Sequence, residues 1–148
     1  MMDIALWFKE YLAKYTPYKT YWNYEDGCVL KGAMDLYKVT GDADFKRFVM
    51  DYLEKYVMPD GSIPNYEMEQ YNSDSINAGK PLFFALEETG DARYRTAIEF
   101  HMQRLREHPR CDCGNFWHKQ LYPYQIWLDG LYMGLPLYLE HETRYNQK

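Results

Sequence analysis

Two copies of the tripeptide Thr-Gly-Asp constrain the fold more than any other feature of the sequence. They begin at Thr40 and Thr89, which are 49 residues apart, and an aromatic residue stands three positions after each aspartate, at Phe45 and Tyr94. An apolar stretch with helical periodicity precedes each copy, "GAMDLYKV" before the first and "GKPLFFALEE" before the second. A repeat of this length is typical of folds that stack one supersecondary unit after another.

The chemistry of the tripeptide predicts a tight turn between two helices. Gly41 and Gly90 can adopt the left-handed conformation that ends a helix, since glycine has no Cβ atom to clash. Asp42 and Asp91 can then cap the next helix, because an aspartate oxygen accepts hydrogen bonds from free backbone N–H groups. Each repeat is therefore predicted to contain an antiparallel helical hairpin.

The periodicity predicts six helices and no strands, which makes the chain an all-α protein with one domain over residues 1–148. The predicted helices span about 3–14, 25–39, 42–56, 74–88, 91–107 and 124–141. Long connections join them at 15–23, 57–73 and 108–123. Because the short turns lie at one end of the hairpins, these long connections lie at the other end, where a functional site is expected.

Two acids at the long-connection end are candidates for chemistry. Asp129 lies within the aromatic stretch "YPYQIWLDGLYM", residues 122–133. A buried carboxylate without a partner costs several kcal/mol, so this acid either has a partner or lies in a cleft. Asp74, in "YNSDSINAGK", has a simpler explanation as a first-turn acid that interacts favourably with the helix dipole. The residues alone leave both alternatives open.

Composition excludes several classes of function. The net charge of −5 disfavours binding to nucleic acids or anionic membranes, and no segment is apolar over the ~18 residues of a membrane span. The 16 tyrosines favour a surface that binds sugars or another protein, because tyrosine combines an apolar ring with a polar group. The N-terminus lacks the pattern of a signal peptide, and three cysteines predict reduced thiols in a cytoplasmic protein.

A zinc site in the connection 108–123 is a competing interpretation. The stretch "HPRCDCGNFWH" contains His108, Cys111, Cys113 and His118, which are residue types that bind zinc. A single residue between the two cysteines is tighter than the usual spacing of two to four. The sequence therefore favours no bound metal, with zinc as the alternative.

Three blocks of the sequence closely resemble the unsaturated rhamnogalacturonyl hydrolases, which are related to the unsaturated glucuronyl hydrolases. They are "WNYEDGCVLKGAMDLYKVTGD", "YNSDSINAGKPLFFALEETGDARY" and "HPRCDCGNFWHKQLYPYQIWLDGLYM". The resemblance implies an (α/α)6 barrel of six helical hairpins. It also implies hydrolysis of oligosaccharides that end in a 4,5-unsaturated uronic acid, by protonation of the double bond and addition of water, without a cofactor.

The resemblance assigns roles to five residues. Asp129 matches the general acid and base, which must be protonated near neutral pH, and a desolvated aromatic environment would favour that form. Asp74 matches a second acid that positions the substrate and influences the proton on Asp129. His118, Trp127 and Tyr24 match positions near the substrate. Trp22, Asn77 and Gln125 are weaker correspondences.

The chain is long enough for about three repeats, which is half of a six-hairpin barrel. The resemblance therefore covers the N-terminal half of the family fold. Half a ring exposes apolar helix flanks, so we expect self-association, either in a dimer that completes the barrel or less specifically. The alternative function is a catalytically inactive half-barrel that acts as a carbohydrate-binding or interaction module.

Overall fold

The computed structural model describes residues 3–66 and 71–146, and within them every regular element is helical, as the sequence predicted. The α-helices are α1 Ile4–Leu12, α2 Tyr24–Thr40, α3 Ala43–Tyr56, α4 Asp74–Asn77, α5 Pro81–Thr89, α6 Ala92–Glu107 and α7 Leu128–His141. A π-helical turn over Glu142–Asn146 follows α7. Part of the connection predicted at 57–73 falls outside the described residues.

Both Thr-Gly-Asp tripeptides form the predicted turns. Gly41 and Gly90 end their helices in the left-handed conformation, with φ of 71° and 68°. Asp42 accepts a hydrogen bond from the backbone N–H of Asp44 at 3.0 Å, and Asp91 accepts one from Arg93 at 2.9 Å. The turns therefore create the hairpins α2–α3 and α5–α6 from residues that are close in sequence.

The helices pack in two layers. One layer contains α2, the pair α4–α5, and α7, which contact one another in that order. The other contains α3 and α6, each packed against its hairpin partner, and α1 packs against α3. One cluster of buried apolar side chains fills the space between the layers, with contributions from Leu30, Leu53, Leu82, Ile98 and Leu137. The first turns of α2, α4 and α7 lie beside the long connections.

The helix predicted at 74–88 is interrupted, and this part of the prediction is wrong. It ends at Asn77 and resumes at Pro81, with tighter bonds such as Gly79 N–H to the Ile76 carbonyl at 2.9 Å in between. The cause is Pro81, which has no N–H to donate to Asn77 and whose ring would clash with that carbonyl. The break leaves α4 as a single turn that carries Asp74 at its start.

The last helix begins at Leu128 rather than at the predicted residue 124. Tyr124 has a φ of 63°, which is incompatible with a right-handed helix, and Trp127 is extended with φ of −107° and ψ of 144°. Residues 124–127 therefore extend the connection that precedes α7. This difference matters because Trp127 faces the cleft rather than packing along the helix.

A close approach at Gly27 joins α2 to the segment that contains α4. A Cβ atom at this position would lie 2.7 Å from the backbone nitrogen of Ala78 and 2.8 Å from the side-chain nitrogen of Asn77. That Asn77 nitrogen donates to the Tyr24 carbonyl at 3.0 Å, and the Trp22 indole N–H donates to the Ser75 carbonyl at 2.9 Å. The absence of a side chain at Gly27 therefore permits direct contact between the two backbones.

The buried acid Asp26 fixes the connection 15–23 to the core. Its carboxylate is fully buried and accepts hydrogen bonds from the hydroxyls of Tyr15 and Tyr52, the amide of Asn23 and the backbone N–H of Tyr18. Burial and this negative charge raise the pKa of Tyr52 above its usual range, so the tyrosine remains a hydrogen-bond donor. Asp26 is thus a structural carboxylate with its acceptor sites occupied.

Two helix flanks at the edges of the layers expose large apolar side chains. The α1 flank consists of Ile4, Trp7 and Tyr11, and the α7 flank consists of Leu128, Tyr132 and Leu139. Leu128 is 87% exposed and Ile4 is 67% exposed. No helix in residues 3–66 and 71–146 is long and apolar enough to cross a membrane. The flanks are surfaces on which another helix or another protein can pack.

We expect Gly27→Ala to destabilise the fold. The added methyl group would meet backbone atoms that cannot move independently, and such overpacking costs about 1–3 kcal/mol, only partly offset by the better helix propensity of alanine. Urea unfolding followed by circular dichroism measures the difference. Gly134→Ala is the matched control, because its Cβ would lie 3.5 Å from the Leu105 side chain, an ordinary contact. Equal stabilities of the two variants would contradict the prediction.

His101 makes the stability of the core depend on pH. The ring is fully buried, and its Nδ1–H donates to the Ala97 carbonyl at 2.8 Å. Burial lowers the pKa of His101 to about 4, against 6.5 for an exposed histidine. Between these two values the unfolded chain binds a proton that the native chain does not, so stability falls as the pH falls through this window.

We therefore expect the free energy of unfolding to decrease by roughly 3 kcal/mol on account of His101 when the pH falls from about 6.5 to about 4. Urea titrations at several pH values measure this slope. In His101→Gln, which keeps a side-chain N–H donor but does not titrate, the slope should become shallower. An unchanged slope in the variant would show that other groups cause the dependence.

Candidate active site

The five residues predicted from the resemblance line a single cleft of about 400 Å³ at the long-connection end of the helices. They come from three places in the sequence: Tyr24 begins α2, Asp74 begins α4, and His118, Trp127 and Asp129 surround the start of α7. The structure thus brings together residues up to 105 positions apart. Their catalytic and binding roles stay predictions.

Backbone pairing between two connections sets the geometry of the cleft. The Ser73 N–H donates to the His118 carbonyl at 3.0 Å, and the Gln120 N–H donates to the Tyr71 carbonyl at 3.2 Å. This short antiparallel pairing places Asp74 beside His118 and Lys119. Tyr71 has a positive φ of 37°, an uncommon conformation for a residue with a side chain.

Asp74 is a buried carboxylate whose two oxygens have different environments. Oδ2 forms an ion pair with the ammonium of Lys119 at 2.5 Å. Oδ1 faces Nε2 of His118 at 3.7 Å and has no hydrogen-bond partner among the described residues. One oxygen is therefore held in an ion pair, and the other lies buried and unpaired against the histidine.

His118 lies at the base of a stack of three rings. Its ring is parallel to that of Trp127 within 6°, at a centroid distance of 4.3 Å, and Trp127 stacks in turn on Tyr122 at 5.0 Å. Nδ1 lies 3.1 Å from the Ser73 hydroxyl. Burial lowers the pKa of His118, despite the opposing effect of the Asp74 carboxylate. The imidazole is therefore neutral near pH 7.

Asp129 lies next to Asp74 but is open to solvent. One oxygen accepts a hydrogen bond from the N–H of Gly130 at 2.9 Å. The expectation that apolar neighbours desolvate this acid is wrong for the described residues, because its neighbours Leu128 and Tyr132 are themselves exposed. The two acids of the cleft thus differ: Asp74 is buried and paired with an ammonium, whereas Asp129 is exposed and bound to a backbone N–H.

Tyr24 and Lys19 form the opposite side of the cleft. Both line it, and the Lys19 ammonium lies 5.6 Å from the centre of the Tyr24 ring. Lys19 also pairs with Glu25 at 2.7 Å. A cation beside an aromatic face provides a surface that binds both the apolar face of a sugar and an anionic group.

The three residues with weaker family correspondence, Trp22, Asn77 and Gln125, position other parts of the cleft through hydrogen bonds. Trp22 is 2% exposed and binds the Ser75 carbonyl, which is a structural role although an edge of the residue reaches the cleft. Asn77 is fully buried and joins α4 to α2. Gln125 accepts a hydrogen bond from the Trp127 indole N–H at 2.9 Å, and its carbonyl accepts one from the His118 N–H at 2.8 Å. Gln125 therefore orients two residues of the ring stack.

The competing zinc interpretation does not fit the connection 108–123 as it is folded. His108 binds the Trp117 carbonyl through Nε2 at 2.7 Å, and His118 lies with the acids instead of the cysteines. Among the described residues, the ligand atoms that do come together belong to Asp74, His118 and Asp129, within 4.8 Å of one another. The Lys119 ammonium already pairs with Asp74, and its positive charge opposes a metal cation there.

The sequence prediction did not include Lys119, Lys19 or Ser73. Lys119 and Lys19 supply the positive charges of the cleft, and Ser73 contacts His118. Lys119 directly follows His118 in "WHKQ", so its position in the most specific block was a usable signal. Ser73 gave no signal, because its partner lies 45 residues away.

The arrangement is suited to acid–base chemistry on a sugar. Two carboxylates share one cleft, and their environments differ strongly: Asp74 is buried beside an ammonium, and Asp129 is solvated beside a backbone N–H. Two carboxyl groups in unlike environments can take different roles in one reaction. A neutral imidazole and stacked aromatic rings complete a surface typical of carbohydrate sites.

Comparison with known proteins gives two consistent matches. The sequence model of Glycosyl Hydrolase Family 88 matches residues 3–148. The solved structure of a C. acetobutylicum ATCC 824 glycoside hydrolase from family 105 superposes with a TM-score of 0.90 at 34% sequence identity. That match covers 97% of this chain and 40% of the other, so the chain spans less than half the length of the solved protein.

Proposed function

Because this chain belongs to Glycosyl Hydrolase Family 88, we propose that its cleft acts on an oligosaccharide that ends in a 4,5-unsaturated uronic acid. The observation that supports this proposal most directly is the pairing of Asp74 and Asp129 in one cleft with unlike environments. The reaction needs one group that gives a proton to carbon and takes a proton from water, and a second group that stabilises charge.

In the proposed reaction Asp129 is the general acid and then the general base. Its carboxyl group gives a proton to C4 of the C4=C5 double bond, which leaves a cation at C5 that the ring oxygen stabilises. Water adds to C5 while the Asp129 carboxylate accepts a proton from it, so the residue returns to its starting form. The hemiketal at C5 then opens to a ketone, and the hemiacetal left at C1 releases the neighbouring sugar. Because Asp129 is open to solvent, water can reach it.

Asp74 assists this reaction without forming a bond to the sugar. Its Oδ2 is held by the Lys119 ammonium, and the carboxylate lies close to Asp129 in the cleft. The other oxygen, Oδ1, is buried against Nε2 of His118, so it holds the surroundings of the carboxylate rather than the sugar. This division of roles differs from that of the usual glycosidases, in which the second carboxylate is a nucleophile or activates water.

The walls of the cleft suit an unsaturated uronate. Trp127 is 40% exposed and offers one face of the ring stack to a sugar ring. Lys119 and Lys19 carry positive charges on two sides of the cleft, and both can attract the uronate carboxylate. The stretch "WHKQLYPYQIWLDGLYM", residues 117–133, supports a rhamnogalacturonan disaccharide as the substrate over a glycosaminoglycan disaccharide.

We expect the chain to remove the ultraviolet absorbance of the conjugated double bond in unsaturated rhamnogalacturonan disaccharide. Asp129→Asn should reduce the rate by about 10²–10⁴-fold, which is the usual contribution of a general acid or base. Asp112→Asn is the matched control, since Asp112 is exposed in the neighbouring connection and does not line the cleft. A chondroitin-derived unsaturated disaccharide, tested alongside, measures the preference for the neighbouring sugar.

Two results would contradict parts of this proposal. Full activity in Asp129→Asn would remove Asp129 from the chemistry. A folded chain that binds the disaccharide without consuming the double bond would favour the alternative function, a carbohydrate-binding module with an inactive cleft. Isothermal titration calorimetry on the same samples distinguishes binding without turnover from absence of binding.

We also propose that the chain associates with itself through the α1 and α7 flanks. Each flank carries three exposed apolar side chains at helical spacing, and Leu128 of the α7 flank is next to Asp129. Burial of such residues gains about 25 cal/mol per Å² of apolar surface removed from water. Contact across the α7 flank would also shield the catalytic acid from solvent.

Light scattering is expected to detect dimers or larger species at micromolar concentration. Leu139→Asp on the α7 flank should shift the population towards the monomer, because a carboxylate is costly to bury in an apolar interface. Val39→Asp is the matched control, since Val39 is 83% exposed but lies on neither flank. A monodisperse monomer of the unmodified chain at these concentrations would contradict self-association.

A further inference from the structure

Gly130 lies against the pair formed by Ser73 and His118. A Cβ atom at Gly130 would stand 2.9 Å from Nδ1 of His118 and 3.4 Å from the Ser73 hydroxyl. Real Cβ atoms essentially never approach a neighbour within 3.0 Å, so a side chain here would displace the imidazole. Only glycine at this position lets the first turn of α7 touch the Ser73–His118 contact.

The Ser73–His118 contact lies at the end of a polar chain of four residues. Lys119 pairs with Oδ2 of Asp74, Oδ1 of Asp74 faces Nε2 of His118 at 3.7 Å, and Nδ1 of His118 lies 3.1 Å from the Ser73 hydroxyl. Ser73 is 3% exposed and His118 is 2% exposed, so water competes little for these atoms. The relative positions of the imidazole, the hydroxyl and the carboxylate are therefore set by these contacts.

The tautomer of His118 follows from the charge on Asp74. An ionised carboxylate only accepts hydrogen bonds, so a neutral imidazole that faces it is stabilised with its proton on Nε2. Nδ1 then has a lone pair, and the Ser73 hydroxyl is the donor that satisfies it. The opposite tautomer would direct a lone pair at the carboxylate.

We propose that Ser73 and Gly130 are positioning residues that hold His118 as the Nε2–H tautomer facing Asp74. The Ser73 hydroxyl donates to Nδ1 of His118. Gly130, which has no side chain, leaves room for the imidazole beside Ser73 and Asp74. Through His118 they fix the surroundings of Oδ1 of Asp74, which faces that ring. This role rests on the proposed function of Asp74 as the acid that assists Asp129, but the tautomer itself does not depend on turnover.

Three variants of the full chain separate the contribution of the Ser73 hydroxyl from that of the missing side chain at Gly130. Ser73→Ala removes the donor without adding bulk, whereas Gly130→Ala adds bulk without removing a polar group. Gly134→Ala, one turn further along α7, is the matched control, because its Cβ would make only an ordinary contact with Leu105. Ser73→Ala also guards against an indirect effect of Gly130→Ala, since the Gly130 N–H bonds to Asp129.

Nitrogen NMR of chain labelled with ¹⁵N-histidine provides the first readout. The four histidine side chains are few enough to resolve, and His118→Asn identifies the His118 signals. We expect a protonated Nε2 and an unprotonated, hydrogen-bonded Nδ1 in the unmodified chain near pH 7. Both Ser73→Ala and Gly130→Ala should shift the Nδ1 signal, and Gly134→Ala should leave it unchanged.

Kinetics provide the second readout where the unmodified chain turns over substrate. Displacement of a positioned group typically costs up to about 100-fold in rate, so kcat of Ser73→Ala and Gly130→Ala should fall by about 10- to 100-fold with little change in KM. A proton on Nδ1 of His118 in the unmodified chain would overturn the proposal, as would unchanged Nδ1 signals in both variants. If no turnover occurs at all, the proposed function fails, and the NMR result still decides the tautomer.

Discussion

The contact of two backbones at Gly27 is the constraint on which the remaining structure depends. It brings α2 against the segment of residues 72–80 so closely that Asn77 binds the Tyr24 carbonyl and the Trp22 indole binds the Ser75 carbonyl. The start of α2 and the start of α4 are thereby held side by side. Because the segment next to Asp74 is in turn paired with the residues around His118, one close approach fixes two sides of the cleft.

The buried acids Asp26 and Asp74 differ in a way that separates structure from chemistry. Asp26 receives hydrogen bonds from four donors and is saturated, whereas Asp74 has one oxygen in an ion pair and one without a partner among the described residues. A saturated carboxylate holds its donors in place but has nothing left to offer a ligand. An unsatisfied buried oxygen is costly, and a catalytic role, a bound water or an ion is among the reasons a fold retains one. This difference is a physical reason to place the functional site at Asp74.

The hairpins were predictable because they depend on interactions between residues close in sequence. The features that the sequence did not predict depend on contacts between residues far apart in sequence. The two Thr-Gly-Asp turns were predictable because the left-handed glycine and the capping aspartate act within a few residues. Pro81 was also a local signal of a helix break, and the prediction of a continuous helix over 74–88 did not take it into account. In contrast, the pairing of Ser73 with His118 depends on residues 45 positions apart, and the exposure of Asp129 depends on what packs on the α7 flank. The resemblance identified the acids and rings, whereas Ser73, Gly130 and Lys19 became visible only through their contacts in the structure.

The two ends of the hairpins are built by different means, and this has a consequence for how such proteins diversify. At the turn end, Gly41 and Gly90 have no other atoms near the position of a Cβ, and a fixed spacing of 49 residues keeps the helices in phase. At the other end, every residue of the cleft is carried by a connection or by the first turn after it. Insertions and deletions in those connections can therefore reshape the cleft while the helices keep their register. Substrate range can evolve through loop length alone, with the scaffold inherited unchanged.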